Sequence, residues 1–140
     1  MGKLAMVICS ILMQHYPEVP MEVSRMIANV VEQESQRQGV EAAVILGIME
    51  QESHFNVMVK DAGKGCIGLM QINPRFHEKY DSHSIHGNIY HGTKIIKDLQ
   101  NQGFLEQEVL KRYHGRGSDG RYETQTALKI RHWRRALSRV

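Results

Sequence analysis

Apolar positions recur at helical spacing along most of this chain, and they predict a mainly α fold. Leu4, Val7, Ile8, Ile11 and Leu12 share one side of a helix over residues 3–15, which Pro17 and Pro20 break. Val23, Ile27, Val30 and Val31 mark a longer amphipathic helix over 21–38, with Gly39 as its stop. A third helix, over 41–54, is apolar nearly all round from Ala42 to Met49, which predicts a central, buried position. Over 56–67 the pattern changes. Val57 and Val59 alternate with other residues, and the Asp61–Gly65 run is turn chemistry, so an irregular loop or small hairpin is expected. A short helix is expected over 67–72, before Pro74. Further helices are expected over 86–101, 105–113 and 122–138, closed by Gly103 and by Gly115-Arg116-Gly117. In the last of them Ala127, Ile130, Trp133 and Leu137 face inward.

The chain has 140 residues, 41% hydrophobic and 24% charged, which fits one globular domain over 1–140 and argues against disorder. Neither repeats nor a membrane-spanning apolar run is present in the sequence. Leu4–Met13 follows Lys3 as a secretion signal would, but no small-x-small site precedes Tyr16; a first helix of the domain is the better reading. Net charge is +3, and Lys129, Arg131, Arg134, Arg135 and Arg139 concentrate it in a last helix without acids beyond Glu123. The rest of the chain is slightly acidic. Such a tail suits an anionic partner or is simply a solvated face. No helix-turn-helix, zinc or aromatic-strand signature accompanies it, so nucleic acid is not expected as a partner. Cys9 and Cys66 are expected as free buried thiols. His77, His83, His86 and His91 fit no zinc spacing and are expected on exposed loop and helix surface; no metal is expected.

One acid stands out. Ile45, Ile48, Glu52 and Phe55 are spaced 3, 4 and 3 apart and so share a helix face. A carboxyl group on an apolar face loses hydration, its charged form is disfavoured and its pKa should rise, as a general acid requires. Glu50 has a similar claim about 200° round the same helix, and periodicity does not choose between them.

The flanking residues do choose. Gln51-Glu52-Ser53-His54-Phe55-Asn56 resembles the QES-x-FN signature of soluble lytic transglycosylases. Gly68-Leu69-Met70-Gln71-Ile72-Asn73-Pro74 is similar to that family's GLMQ-I-x-P segment, and Asn88-Ile89-x-x-Gly92 to its N-I-x-x-G helix start. Leu110-x-x-Tyr113-His114-Gly115 resembles its A-Y-N-A-G motif. All four occur in family order. The resemblance implies a lysozyme-like, mainly α fold (α+β) with a small hairpin or loop beside an active-site cleft. It is related in fold to goose-type lysozyme. It further implies cleavage of peptidoglycan glycan strands with no cofactor. Glu52 would be the catalytic acid and base. Ser53 would hold the helix end and nearby substrate, Met70 and Gln71 would line the groove, and Tyr113 would contact the carboxylate. Asn88 and Asn73 would support the site or the substrate.

Two departures stand out. His114 replaces the motif's asparagine, and Glu123-Thr124-Gln125-Thr126-Ala127 carries alanine where the family's ET-x-x-Y has tyrosine, so one expected hydroxyl is missing. The sequence leaves open a goose-type muramidase, with Asp61 or Asp81 positioning water, and a non-catalytic glycan-binding module. The resemblance places action at the cell wall, in the periplasm, outside the cell or delivered by a phage. The basic last helix is a candidate contact for anionic wall polymer.

Overall fold

The computed structural model describes residues 1–61, 65–77, 79–115 and 119–140. The turn expected at 62–64 and most of the 115–117 stop lie outside the described residues. Six α-helices carry the described fold: α1 Lys3–His15, α2 Met21–Gln38, α3 Ala42–Ser53, α4 Ile85–Asn101, α5 Glu106–His114 and α6 Arg121–Leu137. Two short antiparallel strands, β1 Lys60–Asp61 and β2 Cys66–Ile67, form a hairpin after α3, with Lys60 opposite Ile67 and Asp61 opposite Cys66.

The α3 helix is central, as its apolar circumference demands. Every residue from Ala42 to Met49 is buried, and the helix packs against α2, α4 and, most extensively, α6. Gly47 makes that approach possible, because a Cβ there would overlap Ile130. Around this axis α1 packs on α2, α2 on α4, and α5 on α4 and α6. Ala5, Ile8, Cys9 and Leu12 bury the inner side of α1, so the apolar run near the start of the chain is part of the core. Cys9 is buried and Cys66 only half-buried; neither is in a disulfide.

The segment 67–72 is not a helix. Ile67 and Ile72 bridge to each other through two backbone hydrogen bonds of 3.0 Å, and Gly68 N–H donates to Val59 O at 2.9 Å. Gly68 (φ 76°) and Gln71 (φ 53°) are left-handed, which a right-handed helix excludes. The apolar run that resembled a helix instead drives a tight loop into the core, with Leu69, Met70 and Ile72 buried. A 3-10 turn over Pro74–Phe76 follows. Of the histidines expected on the surface, His77 packs its ring near that of His91, with centroids 5.3 Å apart. His91 is buried, its Nε2 beside the Tyr80 main chain, while His86 approaches Glu34 and His83 approaches Asp81.

Candidate active site

The end of α3 is fixed by its own sequence. The Ser53 hydroxyl is buried and donates to Met49 O at 3.1 Å within the helix. His54 (φ 51°) and Phe55 (φ 62°) then turn the chain through two left-handed residues, a costly conformation for side chains with a Cβ. Full burial of Phe55 offsets that cost. Its ring meets Tyr16 edge-on at 4.9 Å and Trp133 at 6.0 Å. Glu52 is thereby presented half-buried from the last turn of a rigid helix.

The carboxylate of Glu52 accepts the Tyr122 hydroxyl at 2.7 Å. Tyr122 lies in the first turn of α6, and the buried stripe Tyr122, Thr126, Ile130, Trp133 aims it at α3. Tyr122 thus gives Glu52 a phenolic hydroxyl, although the ET-x-x-Y tyrosine position is occupied by Ala127. The sequence signal was there, since Tyr122 stands four residues before Thr126 and eight before Ile130 on the inner face. The His114 ring stacks on Tyr122, with centroids 4.2 Å apart and planes 18° apart, so the substituted motif residue supports the tyrosine from its other side.

Tyr113 donates its hydroxyl to Met70 O at 2.7 Å. It is near enough to Glu52 to feel its charge. Burial first, then the negative charge of Glu52, holds the Tyr113 hydroxyl well above the ordinary tyrosine range. Burial, the Glu52 charge and the hydrogen bond to Glu52 do the same for Tyr122. Both phenols therefore stay protonated, and each keeps an O–H to donate.

The loop of residues 67–72 is held in place by side chains that the sequence singled out. Asn88 is buried; its Oδ1 accepts Met70 N–H at 2.8 Å, and its Nδ2 donates to Ile67 O and Ser82 O, both at 2.9 Å. With its amide spent on three backbone groups, Asn88 braces the loop. Gln71 Nε2 donates to Gly68 O at 2.9 Å and Val59 O at 3.1 Å, tying the loop to the hairpin. Met70 is fully buried, its side chain against Gly92 and its main chain bonded to Asn88 and Tyr113, so it supports the loop from inside. Asn73 caps the following 3-10 turn by accepting Arg75 N–H at 3.0 Å. Asp81 is exposed and engaged by His83, whose backbone and ring hold its carboxyl below the usual range.

Glu50, the rival acid, points elsewhere. It accepts the Tyr16 hydroxyl and, at 2.9 Å, Trp133 Nε1–H, on the side of α3 away from Tyr122. The two acids thus have separate settings: Glu52 with Tyr122, Tyr113 and the 67–72 loop, Glu50 with the aromatic end of α1 and the second half of α6.

Comparison with known proteins fits this arrangement. Residues 29–130 match the family model described as the Transglycosylase SLT domain. The chain is also similar to lysozyme g of Gallus gallus, 38% identical over 64 residues, an alignment covering 43% of this chain and 30% of that protein. The chain therefore spans less than a third of the length of the curated relative it matches. No solved structure gives a significant match.

Proposed function

The chain belongs to the transglycosylase SLT family, and on that footing we propose that it is a peptidoglycan lytic transglycosylase. It cleaves the β-1,4 bond between N-acetylmuramic acid and N-acetylglucosamine, with Glu52 as acid and then base. The observation that carries this reading is the Glu52 carboxyl group, half-buried at the end of α3 and bonded to the Tyr122 hydroxyl at 2.7 Å.

Glu52 begins protonated and delivers its proton to the bridging oxygen as the glycosidic bond breaks. Oxocarbenium-like charge develops on the muramyl C1, and the acetamido oxygen of the same sugar closes on that carbon. The Glu52 carboxylate then takes the proton of the muramyl C6 hydroxyl. O6 attacks C1, the acetamido oxygen leaves, and a 1,6-anhydro end results. Glu52 finishes protonated, as it began. Tyr122 donates to the carboxylate formed midway and so stabilises Glu52 as it gives up its proton. Every step is a proton transfer or an attack by a substrate atom, so the mechanism calls on no cofactor and no metal. Ser53, Asn88, Gln71, Tyr113 and the main chain of Met70 keep the helix end and the loop in register. Asn73 and His114 flank them.

The similarity to lysozyme g supports a second reading, in which water replaces O6 and the product is a reducing end. In that reading an aspartate, Asp61 on β1 or Asp81, would orient the water. Digestion of purified peptidoglycan with mass analysis separates the two. Anhydro ends, lighter by one water, are expected; reducing ends would replace the lyase by the hydrolase, and no release at all would leave a glycan-binding module. Glu52→Gln should lose at least about a hundredfold in rate while Glu22→Gln, on the exposed side of α2, keeps it. Action is at the cell wall, in the periplasm, outside the cell or delivered by a phage. No helix among the described residues is long and apolar enough to cross a membrane.

A further inference from the structure

On the far side of α3 from Glu52 lies a pocket of about 470 Å³, within the range of small-molecule sites. His15 and Tyr16 from the end of α1, Glu50 from α3, and His132, Trp133 and Ala136 from α6 line it. Trp133 and Tyr122 are eleven residues apart on α6, so the pocket is about 16 Å from the Tyr122 site along that helix. Its ionisable lining is Glu50 with His15, His132 and Tyr16. Glu50 is the one carboxylate on its lining, and no lysine or arginine accompanies it.

The site is also preorganised. The two Glu50 oxygens each accept one donor, from Tyr16 and Trp133, which fixes the carboxylate and leaves further acceptor positions open. The rings of Tyr16 and Trp133 are in turn locked against buried Phe55. A fixed carboxylate with open acceptor positions suits a compact organic cation, to which it offers charge-assisted hydrogen bonds. We propose that the Glu50 pocket binds a primary ammonium group on an alkyl chain, as borne by a lysine or other diamino-acid side chain. The same ammonium could come from a free amine or from a peptide stem attached to the glycan.

Trp133 is the one tryptophan of the chain and bonds directly to Glu50, so its fluorescence reads this pocket alone. Nα-acetyl-lysine methylamide should change Trp133 emission saturably in the millimolar range. Its Nε-acetylated counterpart, which lacks the charge, should bind at least about tenfold more weakly. Glu50→Gln should weaken binding of the charged probe by a similar factor, and Ala136→Phe, which fills the pocket without touching Glu50, should block it. Unfolding midpoints of both variants verify that they are folded, and Glu22→Gln should bind as the parent does. Equal response to both probes, or full binding by Ala136→Phe, overturns the proposal, as does absence of any saturable change with the parent. Soluble muropeptides distinguish the sources. If those with free stem amines bind tighter than the lysine derivative and acetylated ones do not, the stem is the ligand; if they bind no tighter, it is a free amine. These measurements read Trp133 and not turnover, so they stand or fall independently of the glycan chemistry at Glu52.

Discussion

Tyr122 is one hydrogen bond away from Glu52 and was absent from the family motifs, which makes it the sharpest residue-level test of the site. A hydrogen bond to a charged group is worth about 1.5–3 kcal/mol, so Tyr122→Phe should lower kcat roughly 10- to 100-fold with little change in KM. An unchanged kcat would remove Tyr122 from the mechanism. The same tyrosine gives a stability prediction with a definite sign. Tyr113 and Tyr122 have folded-state pKa values raised above the ordinary value of 10. Above pH ~10 the unfolded chain loses these protons first, so it binds fewer than the native state and stability falls as pH rises. The contribution is complete below that range and declines by up to about 1.4 kcal/mol per pH unit for each tyrosine. Urea midpoints between pH 9 and 11 should fall, and fall less steeply in Tyr122→Phe; parallel slopes would show that Tyr122 titrates normally. Sequence reasoning missed this residue for a physical reason. The resemblance looked for a hydroxyl at the Ala127 position, whereas one turn and a half of helix earlier a different side chain reaches the same carboxylate from the start of α6.

Elements delimited by proline, glycine and a clear apolar stripe were legible: α1, α2 and α4 start and end within a residue of the periodicity. Glu52 and its separation from Glu50 followed from the 100° step of the helix together with the flanking motif. What local pattern did not carry was the loop over residues 67–72. Its apolar residues suit a helix, but the Ile67–Ile72 bridge within it and the distant contacts of Asn88 hold it as a hairpin-like turn. Gly92 is the seat of that loop. A Cβ there would overlap the Met70 sulfur and press on Met70 Cβ at 2.8 Å. Met70 cannot retreat without breaking the bonds its main chain makes to Asn88 and Tyr113. Gly92→Ala should therefore destabilise the fold by about 1–3 kcal/mol and lower turnover of the remaining folded protein. A change in unfolding free energy below about 0.5 kcal/mol would mean that the loop adapts.

For the whole molecule, the distribution of charge is the feature that local geometry leaves unused. Arg134 is spoken for: it bonds Glu41 at 2.9 Å and Glu106 at 2.5 Å, clasping α6 to the start of α3 and to α5. Those two acids hold its charge on, well above the ordinary arginine range. Arg131, Arg135 and Arg139 repeat every four residues, are exposed, and form no ion pair among the described residues. Arg131 and Arg135 one turn apart on α6, with Arg139 just past its end, contribute little to folding but add attraction toward a polyanion, and that attraction is screened within about 8 Å at physiological salt. If these arginines hold the protein on anionic wall polymer, replacing all three by glutamine should cut its retention on isolated cell walls several-fold at low salt. The difference from the parent should close as salt approaches 1 M, where screening acts within about 3 Å. Sedimentation of the protein with the walls across a salt series measures both. Equal retention of parent and triple variant at every salt concentration would leave these arginines as a solvated face.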